Sequence, residues 1–310
     1  MTRYFVMAVI GIALVVAIGL VVRGRWFGSP DDPPVKAPTA TPRPEPSRTT
    51  ATGSGAVPER VAVVVDLTGK VERRAGSVWV ELKAGDQLTP QDTIRTAPDA
   101  HANLDVGAAV MVDGATEITV GEITSSVSQL SLTEGRVRAQ ARGAGAPRIR
   151  IATRGTDAVA ETGDGTFNVL TSGKGDVAVA TEAGTVSLTA AARTVEVGAG
   201  QYSTVRAGGE PTLPTTIPGS LFLKVKAEGA NREVAGLSGE TLPGAVVSIN
   251  GVRAPTDDRG RFTDEVPLKK GDNVIVVSVM DALGRSEQRV IRKTVPVKAR
   301  PRLQTEVQWE

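Results

Sequence analysis

The sequence predicts an all-β protein behind a single N-terminal membrane helix. Three observations carry this expectation. An uncharged apolar run, Tyr4–Val22, opens the chain. No comparable helical period follows it. From Val61 onward short runs alternate apolar and polar residues, as in SVWVEL, HANLDV, TEITV, RIRIAT, DVAVAT and TVEVG, and Gly, Asp, Asn and Ser separate them. Period 2 buries one strand face and wets the other. Turn signals every 8–12 residues or so fit a solenoid, barrel or sandwich.

The apolar run comes first. At about 1.5 Å per residue, its nineteen residues cross a hydrocarbon core of roughly 30 Å as a helix. A cleaved signal peptide is the rival reading. Its apolar core spans about 7–15 residues and ends in small residues at the cut. Here the run ends in Arg23, Gly24, Arg25, Trp26 and Phe27. Trp26 and Phe27 suit a membrane–water interface. Arg3 precedes the span and Arg23 and Arg25 follow it, so flanking charge leaves orientation open. The chain holds no cysteine, which excludes a lipidated N-terminal cysteine.

Residues 23–58 read as a linker, dense in Pro, Thr and Ser from residue 29 onward. Too few apolar residues are present to bury anything, so an extended, partly polyproline II spacer is expected. Residues 59–210 form the first β region and 219–298 the second, with TTIPG at 215–219 between them. Aromatic residues are 3% of the chain, so both cores must be built from Val, Ile, Leu and Ala. Trp79 is expected as a core anchor of the first region. Gly85–Asp86 and Asn250–Gly251 are turn signals, the latter a strong hairpin signal.

The run from Gly69–Val71 through Trp79, Gly85–Asp86 and Asp92–Ile94–Thr96 resembles the start of a FecR domain. Glu134–Gly135–Val137, Thr153–Arg154–Gly155–Thr156 and the Gly-x-Val strands up to Val205 are similar to its later part. The resemblance covers about residues 61–208. Leu242–Pro243–Gly244, Asn250–Gly251, Gly260–Arg261–Phe262 and Asp281–Gly284 resemble a bacterial immunoglobulin-like domain, over about residues 219–298. These resemblances imply all-β extracytoplasmic modules, an immunoglobulin-like β-sandwich for the second, in envelope or signalling proteins. They also raise transmembrane control of a sigma factor. Only Met1–Arg3 precede the span, so that role would need a partner to carry the cytoplasmic part.

The inventory argues against common catalytic chemistry. One histidine, His101, lies on an expected strand, and no Gly-x-Ser-x-Gly elbow accompanies it. With no cysteine and one histidine, a Cys/His zinc site is excluded. No phosphate-cradling G-x-x-x-x-G-K-S/T loop is present. Paired glycosidase carboxylates assemble in space and stay open at this stage. Asp257, Asp258, Asp264 and Glu265 flank one turn and read as an acidic turn, with calcium as the alternative. The expectation is a non-enzyme without a cofactor or metal.

A net charge of +2 gives no reason to expect nucleic acid. One local run differs. Between Gly135 and Thr156 stand six arginines and no acid. If the strands flanking GAGAP pair as a hairpin, Arg136, Arg138, Arg148 and Arg150 form one basic face. Guanidinium forks suit carboxylate or phosphate, so an anionic envelope polymer or an envelope protein is the candidate partner. No small-molecule substrate is evident. Carbohydrate or peptidoglycan binding is the alternative function, against which the scattered aromatics count. The tail, residues 299–310, alternates Leu303, Thr305, Val307 and Trp309 with polar residues. It is a candidate for strand addition, with Leu303, Val307 and Trp309 on one face. The expected protein is thus a single-pass protein of the bacterial inner (cytoplasmic) membrane, with its C-terminal bulk periplasmic or extracytoplasmic and a binding or scaffold role.

Overall fold

The computed structural model describes residues 60–229 and 233–297. The apolar run, the linker and the tail lie outside the described residues. So do the membrane helix expected there and the tail positions Leu303, Val307 and Trp309. Every regular element in the described residues is a strand.

Sixteen strands of the first body share one hydrogen-bonded system, bent into two facing layers, here the front and back sheets. Along the chain, β1 (Ala62–Thr68) is in front, and β2 (Val71–Ala75) and β3 (Val78–Glu81) form a hairpin behind. β4 (Gln87–Leu88) pairs with β1, and β5 (Thr93–Thr96) with β2. β6 (His101–Asp105) and β7 (Ala109–Val112) extend the front sheet, and β8 (Glu117–Ile123) the back.

β9 (Val127–Arg142) belongs to both layers. Its first half pairs with β8 behind, its second half with β7 in front. The change occurs at Gly135, whose φ of +94 a side chain rarely adopts. A Cβ there would also stand 2.2 Å from Thr116 Oγ1. β10 (Arg148–Thr153) and β11 (Val159–Thr162) return to the back, and β12 (Asp164–Thr171) pairs with β9 in front. β13 (Val177–Ala190) repeats the crossing from front to back. β14 (Arg193–Gly198) ends the back sheet; β15 (Gln201–Val205) and β16 (Thr215–Thr216) end the front.

The result is a barrel-like sandwich. Alternate residues of both layers, among them Val110, Val137, Phe167 and Val179 in front and Ile94, Ile118, Leu130, Ile151 and Leu188 behind, meet in one core. The second body is a smaller sandwich. β17 (Lys224–Glu228), β18 (Val234–Glu240) and β21 (Arg261–Pro267) make a three-stranded sheet. β19 (Val246–Ile249), β20 (Val252–Ala254), β22 (Gly271–Met280) and β23 (Ser286–Val295) make a four-stranded one, ordered β20-β19-β22-β23. Leu237, Val247, Phe262, Ile275 and Val277 fill the space between them. Asn250 and Gly251 form the two-residue β19–β20 turn, both with positive φ, the geometry that matches strand twist.

Trp79 differs from expectation. It stands opposite Arg74 on the outward side of the edge hairpin, half-buried, with Arg95 Cζ 4.1 Å from its ring centroid. Only the inward residues of that hairpin, such as Val71, reach the core. The alternation is right, but Trp79 falls on its wet side.

Candidate functional site at the junction of the two β bodies

The second body sits on the outward face of the front sheet. On β9 the residues Val137 and Ala139 face the core, so Arg136 and Arg138 face outward. β12 lies beside them, with Asn168 opposite Arg138 and Leu170 opposite Arg136. Leu170, Ala178 and Ala180 of this face pack with Ala282, Met280, Leu283 and Val246 of the second body, and with Tyr202 and Ile217.

Arg136 is 5% exposed. Its Nη1 donates to Asn168 Oδ1 at 3.1 Å. Its Nε is 2.9 Å from Asp113 Oδ2, in ion-pair contact without hydrogen-bond alignment. The Asp281–Arg285 turn between β22 and β23 closes over it. A Cβ on Gly284 would lie 2.5 Å from Arg136 Cζ, so a side chain there would force the guanidinium to shift. Gly284 also has φ +81. Burial lowers the guanidinium pKa below its ordinary value, and Asp113, Glu182 and Asp281 oppose that shift. Burial likewise raises the Asp113 carboxyl, with Arg136 opposing. In both partners desolvation outweighs attraction, as expected of a buried ion pair.

Arg138 works differently. Its Nε and Nη2 donate to the two oxygens of Glu182 at 2.8 and 2.7 Å. Asn168 Nδ2 donates to the same carboxylate at 2.8 Å. These donors hold the Glu182 pKa below the usual range, Arg138 contributing most. Asp113, Arg136, Asn168, Glu182 and Arg138 therefore form one connected polar row.

A second set of contacts lies beyond Leu170. Arg253 of β20 donates from Nη1 to Thr171 O at 3.1 Å and from Nη2 to Ala115 O at 3.3 Å. Lys174 Nζ donates to Arg253 O at 3.0 Å. Arg206, past the end of β15, donates to Thr256 O at 2.9 Å and pairs with Asp258; Asp176 is 3.8 Å away. Burial raises the Asp176 carboxyl, Arg206 opposing. Around these groups runs a cleft of about 490 Å³ with Val177, Val205, Val246 and Ala254 among its apolar walls. Lys174, Asp176, Arg206 and Asp258 in its wall are engaged with each other or with backbone carbonyls, an arrangement that joins surfaces.

The four arginines expected on one face are divided between two. β10 does not fold back on the second half of β9. It runs parallel to the first half, Arg148 beside Val127 and Arg150 beside Gln129. Arg148 and Arg150 are exposed on the back sheet, Arg148 paired to Glu161 at 2.6 Å. Arg136 and Arg138 are on the front. The bend at Gly135 is the cause, because it carries the second half of β9 into the other layer.

The acidic turn has its own partners. Asp257 accepts the backbone N–H groups of Arg259 and Arg261, and Arg261 Nε at 2.7 Å, which hold its pKa down at about 2. Among the described residues no three Asp, Glu, His or Cys side chains gather as a metal site. His101 is exposed at the start of β6. Arg253, Arg206, Asn168 and Glu182 were not singled out from sequence. They sit on separate elements, and no local pattern marks residues that meet only in the folded chain.

No family model matches this chain, and no curated protein does. Two crystal structures of a "putative anti-sigma factor" from Parabacteroides distasonis are similar at 19% identity, over 40% of this chain and 59% of theirs, with a TM-score of 0.35. A polysaccharide lyase is similar at 9% identity over 74% of this chain and 40% of its own, with a TM-score of 0.20. The chain thus spans under two thirds of each. Likeness at this level carries no functional argument.

Proposed function

We propose that this chain is a membrane-anchored binding or scaffold protein of a bacterial envelope, without enzymatic activity, holding its β bodies outside the cytoplasm. The observation that carries the reading is the junction. Arg206 pairs with Asp258 and Arg253 with Glu134 across the two bodies, and the Asp281–Arg285 turn of the second body closes over Arg136 of the first. What remains to face a partner is a pair of broad sheet surfaces held in fixed relation. One of them is the outward side of the back sheet. Thr119, Ser131, Ala152, Val159, Thr189 and Thr194 stand in one row across six strands. Small side chains make that row flat, and Arg148, Arg150 and Glu161 border it. The Tyr4–Val22 run and the Pro/Thr/Ser spacer support an anchor and a stand-off from the membrane. A narrower form, control of a sigma factor through a second protein, rests on the FecR resemblance alone.

The test is photocrosslinking in intact cells. A photoreactive residue at Thr189 or Arg150 should give a discrete adduct with the same envelope component, and one at buried Leu188 should give none. Alkaline phosphatase fused after residue 58 should be active. Absence of adducts from the exposed positions, or an inactive phosphatase with a fluorescent cytoplasmic-type fusion at the same site, overturns the reading.

A further inference from the structure

Three arginines of the run between Gly135 and Thr156 lie on the back sheet, and they follow one strand. Ile149 and Ile151 of β10 face the core, so Arg148, Arg150 and Ala152 face outward, and exposed Arg154 comes just past the strand end. The neighbouring strand β11 carries acids instead. Glu161 stands opposite Arg150, and exposed Asp157 comes just before the strand start. Between the charges, Ala152 stands opposite Val159. The middle of the face is therefore basic on one strand, acidic on the next and apolar at the centre. Its charges are only partly used within the sheet. Arg148 donates to Glu161 at 2.6 Å, and Asp157 accepts the backbone N–H of Ala191 at 2.7 Å. Among the described residues Arg150 makes no ion pair, although it stands opposite Glu161.

A basic strand beside an acidic one is complementary to itself. A two-fold axis running along the strands, between β10 and β11, lays β10 of one copy over β11 of another. Arg150 then meets the partner's Glu161 and Arg154 the partner's Asp157, and each contact is made twice. The same axis sets Ala152 on the partner's Val159, Ser131 on its Thr189 and Thr119 on its Thr194, so the flat row covers itself. A partner of one charge would meet like charge on one of the two strands. At about 4.8 Å between strands and about 3.3 Å per residue, six strands and the six residues of β10 span roughly 25 by 20 Å. Two copies would bury about 1,000 Å², the low end for a specific pair. Anchoring both copies in one membrane raises their effective concentration and offsets that small area. We propose that this face pairs with the same face of a second copy of the chain. The proposal rests on the membrane-anchored binding reading above and names the partner of its back-sheet surface.

The chain contains no cysteine, so introduced cysteines report alone. Two differently tagged full-length copies are made in one bacterial host, Ala152→Cys in one and Val159→Cys in the other. A short bismaleimide added to intact cells should link them, since facing sheets lie about 10 Å apart. Thr194→Cys in both copies should give no link, because the axis sets Thr194 on Thr119. Arg150→Glu in both copies, or Glu161→Lys in both, should cut the linked fraction by roughly tenfold or more. Arg150→Glu in one copy with Glu161→Lys in the other should restore it, since both contacts regain opposite charges. An ion pair within one sheet could not be restored between copies in this way. No link between Ala152→Cys and Val159→Cys, or no restoration, overturns the pairing. Photoadducts from Arg150 to a different envelope protein, without the cysteine link, overturn the pairing alone and leave the binding reading in place. No adduct from any exposed position overturns both.

Discussion

Gly284 rests on the guanidinium of Arg136, the turn of one β body closing over a buried cation of the other. Neither residue has a reason for its environment within its own body. Arg136 is an outward-facing strand residue, and Gly284 ends an exposed-looking Asp-Ala-Leu-Gly turn. Their contact is one of those that join the bodies, and it can be tested from either side.

Gly284→Ala should lower stability by about 1–3 kcal/mol, from positive φ and overlap with Arg136. Urea denaturation of Gly284→Ala, Arg136→Ala and the double variant checks it. The double variant should lose less than the sum, because the residues touch. Strict additivity would mean that the turn does not need the arginine beneath it.

The divided arginines should behave as two pairs. Arg136→Ala leaves Asp113 and Asn168 without their partner under the second body and should cost about 3 kcal/mol. Arg148→Ala with Arg150→Ala should cost under about 1 kcal/mol, since both are exposed. Retention on an anionic polymer at low salt should fall with the Arg148/Arg150 variant and not with Arg138→Ala. Equal losses would restore a single basic face.

Acid sensitivity should reflect opposing carboxyls. Glu182 has a folded pKa below its ordinary 4.5, so its contribution is full above about 4.5 and is lost as pH falls through the depressed value. Asp113 and Asp176 have folded values raised above 3.8 by burial, so they favour the folded state below that pH and cost stability as pH rises through the raised value. Urea midpoints from pH 3 to 6 should therefore change less with pH in Glu182→Gln and fall more steeply on acidification in Asp113→Asn. Parallel curves for all three proteins would place the acid response elsewhere.

The second body, expressed as residues 219–298, should unfold cooperatively, because Leu237, Val247, Phe262, Ile275 and Val277 form a core within it. Its Tm should lie below that of the second body in the full chain, since Met280, Ala282 and Leu283 lose their cover. A featureless thermal melt by circular dichroism would make the two bodies one cooperative unit.

The alternation of Arg148-Ile149-Arg150-Ile151, the Asn250–Gly251 turn and the absence of helical period beyond Val61 determined an all-β body locally, from residues within one strand or turn. Period 2 reports which side chains share a face. It is silent on which layer the strand joins and on what covers that face. Those depend on pairings tens of residues apart: β10 beside the first half of β9, β12 beside the second, and the Asp281–Arg285 turn above both Arg136 and Leu170. Tertiary structure alone buried Arg136, left Arg150 in water and turned Trp79 outward. The same arginine residue, in the same alternating pattern, is sunk or solvated according to whether a second body docks upon its sheet.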